Sequence, residues 1–282
     1  MSVATMRAVE LPSGETMPVL GLGTWHLGEG RHPPQVEIDA LRTGLDLGMA
    51  LVDTAEMYGG GATETLVGRA IAGRRDDVFL VSKVMPHHAT FDGTIAACEG
   101  SLRRLGTDRL DLYLLHWRGS VPLDETVGAF DELRRAGRIR HWGVSNFDVA
   151  DLAELADVRA GQAVEADQVL YNLLHRGIEW NLLPLCQRSG IPVMAYSPIG
   201  QGRLADDPVL QRIGRRRRAT ATQVALAWVV SHPGVCAIPE AGTPQHVRQN
   251  AAALRVELEE DDMVEIDAAF PPPARPVPLE VL

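Results

Sequence analysis

The chain has 282 residues, enough for one large domain or two small ones, and the simpler expectation is a single domain spanning 1–282. Hydrophobic residues make up 45% and charged residues 23%, with mean hydropathy close to zero, a profile that excludes a disordered chain and a membrane protein. The formal charge of −10 argues against nucleic acid as the main partner, because a phosphate-tracking surface needs clustered positive charge.

At the amino terminus, MSVATMRAVELPSG has no apolar h-region, and no later stretch approaches the roughly 20 apolar residues of a membrane span, so neither export nor a membrane is expected. RAVELPSGETMPVL sets Pro12, Ser13 and Gly14 between two short runs, the pattern of a hairpin that would plug the floor of a barrel. Eight short β-type runs follow: VLGLGT (19–24), LVDTA (51–55), FLVSK (79–83), LDLYLLH (110–116), IRHWGVS (139–145), EADQVLY (165–171), PVMAYS (192–197) and GVCAIP (234–239). They are nearly continuously apolar, as strands buried on both faces must be, and mostly about thirty residues apart, the length of a β-α unit.

The segments between them read as helices over 36–48, 63–73, 94–106, 124–137 and 222–232, several opening on Thr or Asp and stopping at Gly. Eight such units in a chain of this length predict a closed α/β barrel of the (β/α)8 TIM type rather than an open doubly wound sheet. Arg215-Arg216-Arg217-Arg218, after Gly214, reads as a solvated turn rather than a basic patch. LEEDDMVEIDAAF is an extra carboxy-terminal helix, and PPPARPVPLEVL (271–282) is too rich in proline for one. Cys98, Cys186 and Cys236 are too few and too scattered for a disulfide framework or a zinc site, so a reducing cytoplasm is expected.

In an eight-stranded barrel the site forms at the carboxyl ends of the strands. There the second run ends at Asp53, with Tyr58 in the loop after it; the third ends at Lys83 and the fourth at His116. Lys83 is the sole lysine among 27 basic residues, which suggests work that a guanidinium cannot do. An ammonium beside a phenol lowers the phenol's pKa, a carboxylate holds the ammonium charged, and an imidazole can hydrogen-bond a carbonyl oxygen. Each residue also has a structural reading: Asp53 as a cap, Tyr58 as a loop aromatic, Lys83 as a surface charge, His116 as a satisfied core histidine. A lone lysine ending a barrel strand equally suits a Schiff-base lyase. GLGTWH lacks the third glycine of a dinucleotide fingerprint, its place taken by His26. His87 and His88 have no carboxylate or cysteine in helical register, so they read as an exposed loop and no metal is expected.

The motifs GETMPVLGLGTW, DTAEMYGG, VSK (81–83), LHW (115–117), GVSNF (143–147), DQVLYN (167–172), AYSPIG (195–200) and IPEAGTPQHVRQN (238–250) run in the order of the aldo-keto reductases. The chain resembles that family over essentially its whole length, and most closely its bacterial methylglyoxal-reducing members. The resemblance implies an NAD(P)H-dependent reductase of small carbonyls, with Tyr58 as general acid, Lys83 and Asp53 as its tuning pair and His116 orienting the carbonyl. It implies that Ser145, Asn146 and Gln168 hold the nicotinamide carboxamide and that Tyr196 stacks on the ring. Gly23 and Thr24 belong to the same site, and Ser197, Gly200, Gln201 and Arg203 would cross the pyrophosphate. Glu240, His246, Arg248, Gln249 and Asn250 would meet the adenosine end. Trp25 and Trp117 would wall the substrate pocket beside Tyr58 and His116, with 271–282 as its lid.

NADPH-using members commonly carry Lys and Arg where this chain has Glu240 and His246, so NADPH is expected with some use of NADH. A non-catalytic redox-sensing subunit is the rival from another class. A small carbonyl is the expected partner, and the chain is expected to be a monomer or weak oligomer.

Overall fold

The computed structural model describes residues 7–282. The first six residues, which begin the segment read above as lacking an export signal, lie outside the described residues. The predicted hairpin forms from β1 (Ala8–Glu10) and β2 (Thr16–Pro18), antiparallel, with Val9 facing Met17. Val9, Leu11 and Met17 are buried, and Arg7 donates to the Val230 carbonyl at 3.5 Å.

All eight predicted barrel strands are present: β3 (Leu22–Gly23), β4 (Leu51–Asp53), β5 (Phe79–Val84), β6 (Leu110–Leu115), β7 (Ile139–Ser145), β8 (Asp167–Leu170), β9 (Val193–Tyr196) and β10 (Val235–Ala237). Each pairs in parallel with the next in chain order. The first and last meet through parallel bridges Leu20–Ala237 and Gly23–Glu240, with Gly21 N–H donating to the Ala237 carbonyl at 2.8 Å and Ala237 N–H to Val19 at 2.9 Å. That seam closes the barrel. It needs glycine: a Cβ on Gly23 would lie 2.5 Å from the Ile238 carbonyl oxygen.

The helices are α1 (Pro34–Asp46), α2 (Ala62–Ile71), α3 (Phe91–Leu105), α4 (Leu123–Arg135), α5 (Val149–Asp157), α6 (Leu182–Ser189), α7 (Pro208–Arg217), α8 (Ala221–Ser231), α9 (Pro244–Ala252) and α10 (Glu260–Ala269). The glycine stops fall where expected, but the N-caps sit upstream of the expected Thr63, Thr94, Asp124 and Thr222, because each helix begins before that residue. Thr90 accepts from Gly93 N–H, Thr220 and Gln223 form a capping box, and Gly106 ends α3 in the left-handed region.

One reading needs correcting. Arg215, Arg216 and Arg217 are the last turn of α7, not a turn in solvent. Arg216 and Arg217 both bind the buried carboxylate of Asp262 on α10, and Arg217 also reaches Glu259 at 2.6 Å. Cations at a helix C-terminus are favoured by its dipole, and here they also clamp two helices together. Residues 271–282 carry neither helix nor strand.

Candidate active site

The geometry begins with Lys83, the penultimate residue of β5, which is fully buried. Its Nζ donates to Asp53 Oδ2 at 2.8 Å, to the Thr54 carbonyl at 2.8 Å and to Tyr58 Oη at 3.3 Å. An ammonium has three protons, so every donor is committed. Burial opposes the charge, but Asp53 and Tyr58 outweigh it and hold the Lys83 pKa above the ordinary value. Asp53 ends β4 and turns its other oxygen to Gln168, whose Nε2 donates at 2.8 Å.

Tyr58 follows β4 in the loop that begins at Thr54. Here the sequence-based expectation of a lowered phenol pKa is overturned. Burial is the largest effect and raises it; Lys83 pulls the other way without compensating, so Tyr58 is a firmly protonated phenol. His116 directly follows β6, with its ring centroid 6.0 Å from that of Tyr58. Burial, then the charge of Lys83, takes its pKa down to about 2, so it is a neutral imidazole.

Around this set runs a continuous polar network. Ser145 Oγ donates to the Gln168 carbonyl at 2.8 Å, Asn146 Nδ2 to the His116 carbonyl at 3.2 Å, and Tyr196 Oη to Asn146 Oδ1 at 2.9 Å. Thr24 Oγ1 donates to the Asp53 carbonyl at 2.9 Å. Asn146, Ser197 and Gln201 have positive φ, at 58°, 48° and 56°, backbone strain gathered where the strands end.

One cleft of about 530 Å³ opens onto these groups. Asp53, Tyr58, His116, Ser145, Asn146, Gln168 and Tyr196 line it, as do Gly23, Thr24, Ser197, Gln201 and Glu240. Trp25 and Trp117 stand at its mouth, 38% and 37% exposed, with Trp25 stacked 4.2 Å from His26. Lys83 does not reach the wall; it lies behind Asp53 and Tyr58 rather than pointing into the mouth.

Gly200, Arg203, His246, Arg248, Gln249 and Asn250 are also off the wall. Arg203 lies 3.2 Å from His175, and the His246 N–H caps back onto Thr243 at 3.3 Å. Sequence reading missed Arg31, His26 and Met57, all of which face the cleft, whereas Leu282, which also lines it, belongs to the 271–282 tail expected to cover the pocket. Burial raises the Glu240 pKa, and Arg31, with the His26 and His32 rings, works against that rise. Nothing local marks them, because they reach Glu240 only when barrel closure sets β3 beside β10. His88, read as having no carboxylate nearby, has one from 32 residues upstream, with Glu56 Oε1 at 3.0 Å. No group of three or more potential metal ligands occurs among the described residues.

Residues 19–270 match the sequence profile of the Aldo/keto reductase family. The chain is 48% identical to methylglyoxal reductase YeaE of Escherichia coli K12, over 98% of this chain and 99% of that protein. It is 34% identical to glyoxal reductase of Bacillus subtilis, over 95% and 94% of the two chains. A crystal structure of an aldo/keto reductase from Klebsiella pneumoniae in complex with NADP and acetate superposes with a TM-score of 0.96 at 47% identity, covering 99% of this chain and 100% of that one.

Proposed function

The chain belongs to the aldo/keto reductase family, and from that premise we propose that it reduces small aldehydes and ketones, methylglyoxal-like dicarbonyls among them, to alcohols with NADPH, using Tyr58 as the proton donor. The observation that carries the reading is the buried chain Asp53–Lys83–Tyr58, in which all three Lys83 protons are committed and the phenol, not the ammonium, faces the cleft. When bound, the dihydronicotinamide supplies a hydride to the carbonyl carbon. Ser145, Asn146 and Gln168 fit its carboxamide: the Gln168 NH2 is engaged by Asp53, which leaves the amide oxygen to offer. The Tyr196 ring on the same wall fits as a flat support.

The residues divide the remaining work. Tyr58 keeps its proton at neutral pH and passes it to the carbonyl oxygen as negative charge builds there. Lys83 stabilises the phenolate left behind, and Asp53 keeps Lys83 charged and in place. His116, being neutral, can donate a hydrogen bond that orients the carbonyl but has no second proton to give. A Schiff-base lyase would need Lys83 deprotonated and accessible; it is buried and held charged by Asp53, which counts against that alternative. The tryptophans at the mouth suit a carbonyl with a short apolar flank.

Glu240 stands at the cleft rim near Arg31, His26 and His32. A carboxylate there disfavours a 2′-phosphate and accepts hydrogen bonds from a ribose hydroxyl, so discrimination against NADH is expected to be weak. The test of the whole reading is NADPH and NADH oxidation against methylglyoxal, glyceraldehyde and nitrobenzaldehyde. Steady turnover with at least one is expected. No oxidation with any carbonyl, or a borohydride-trapped adduct on Lys83, would overturn it.

A further inference from the structure

Tyr58 must be held at a fixed distance from Lys83, and its own loop does part of this through two backbone hydrogen bonds, Tyr58 N–H to the Ala55 carbonyl and Gly60 N–H to the Met57 carbonyl, both at 3.1 Å. Gly59, Gly60 and Gly61 follow immediately, all in the left-handed region at φ 55°, 59° and 93°. Three successive glycines leave the backbone pliable on that side. Thr54 N–H ties the start of the loop to the Val81 carbonyl at 2.9 Å, and nearer the phenol a side-chain brace comes from Glu56, two residues before Tyr58, whose side chain is only 10% exposed. Its Oε1 accepts the Met85 N–H at 2.7 Å, and the His88 ring lies 3.0 Å from the same oxygen. Met85 is two residues beyond Lys83, in the segment that continues β5. One carboxylate therefore ties the tyrosine loop to the end of the lysine strand, next to both partners of the 3.3 Å Nζ–Oη contact.

We propose that Glu56 is a positioning residue for proton transfer, setting the separation of Tyr58 and Lys83 through its hydrogen bond to the Met85 backbone; this rests on the reading of Tyr58 as the general acid. Glu56 hydrogen-bonds neither the phenol nor the ammonium, so its effect is on geometry. Loss of the brace frees the loop, and misplacement of a reacting group by about 1 Å can cost on the order of 10²-fold in rate. The oxygen that accepts the N–H survives in a carboxamide, so charge is not what the brace requires.

The test is steady-state reduction of 4-nitrobenzaldehyde by NADPH, with NADPH affinity from fluorescence titration and stability from thermal melting. Glu56→Ala is expected to lower kcat by about 10- to 100-fold with NADPH affinity within about twofold of wild type. Glu56→Gln is expected to restore most of kcat, and His88→Ala to stay within about twofold of wild type, since it removes only the exposed partner. Should Glu56→Ala not fold, Glu56→Asp, one methylene too short to reach Met85, is expected to show the same loss. An Ala or Asp variant that melts lower but turns over like wild type makes Glu56 merely structural and overturns the proposal. So does a Gln variant as impaired as Ala. Tyr58→Phe, run alongside, separates the two failures: if it stays active the general-acid reading falls, and if it is inactive while Glu56→Ala is not, only the positioning role falls.

Discussion

At the scale of single residues, the site is governed by the competition between burial and charge. Lys83 lowers the phenol's pKa, but desolvation of Tyr58 is the larger effect, and the outcome suits a donor rather than a phenolate. Tyr58→Phe is expected to lower kcat by on the order of 10²–10⁴-fold while NADPH affinity stays nearly unchanged. Stopped-flow turnover beside a cofactor titration checks this. Because His116 titrates near 2 and Tyr58 above its ordinary value, kcat for reduction should be flat from pH 5 to 8 and fall only on the alkaline side, where the phenol loses its proton. A limb centred near pH 6.5 would mean that His116 or another histidine exchanges the proton. Lys83→Arg is expected to be nearly inactive, since the larger planar cation cannot occupy a fully buried slot between Asp53, the Thr54 carbonyl and the phenol. Wild-type kcat in that variant would make the lone lysine an accident of composition.

At the scale of elements, the hairpin is latched to the barrel floor by a polar cluster centred on one histidine. His141, near the start of β7, sets Nε2 2.7 Å from Glu15 of the hairpin and Nδ1 3.2 Å from Glu165 before β8, while Arg140 donates to Glu15 at 2.6 Å. Asp111 lies beyond Arg140 at 3.1 Å, Phe79 stacks on the imidazole with ring centroids 6.5 Å apart, and Ser13 N–H donates to Glu165 at 3.1 Å. Burial works against the imidazolium, but the two carboxylates outweigh it and raise the His141 pKa. Burial likewise works against the Glu165 carboxylate, yet His141 and Ser13 bring its pKa below the usual value.

The signs then follow by linkage. The histidine's contribution to stability is whole below its unfolded pKa of about 6.5 and is lost as pH rises through the higher folded value. The Glu165 contribution is whole above its unfolded pKa of about 4.3 and is lost as pH falls through the lower folded value. Urea midpoints should therefore peak between those limits and decline from pH 6.5 to 9, and His141→Gln should remove the alkaline decline. Equal slopes in the two proteins would show that the latch does not titrate.

At the scale of the whole molecule, ligand binding reads out on folding. A ligand at 100 times its Kd adds about 2.7 kcal/mol to stability, which for a chain of this size moves Tm by about 5 °C or more. NADPH is expected to raise Tm, and NADH at equal concentration to raise it measurably, because the Glu240 carboxylate on the cleft wall repels a 2′-phosphate and can accept a hydrogen bond from a ribose hydroxyl. Glu240→Lys should widen the gap in favour of NADPH. An unchanged gap, or a wild type insensitive to NADH, would mean that Glu240 points away from the cofactor and other arginines bind the phosphate.

Much of this protein was legible in its sequence because the signals were local. Strand β6 lies within the run expected at 110–116, since a largely apolar run buried on both faces has little competing explanation, and β7 matches its expected bounds although Arg140 is exposed. Asp53, Tyr58, Lys83 and His116 could be picked out because each ends or follows such a run. Helices α5, α6, α7 and α9 have no counterpart in the periodicity reading, being short, at 8 to 10 residues, and all but α5 carry a proline in the first turn.

What only the tertiary structure decided were quantities that depend on distant chain segments meeting. The direction of the Tyr58 pKa follows from how deeply the closed barrel buries the phenol. The Arg216–Asp262 and Arg217–Asp262 pairs join residues about 45 apart, and the Glu56–Met85 brace spans 29. Periodicity and propensity act within a few residues, whereas desolvation and ion pairing fall off with distance in space. The sequence could thus name the reacting groups, and folding set their charge states.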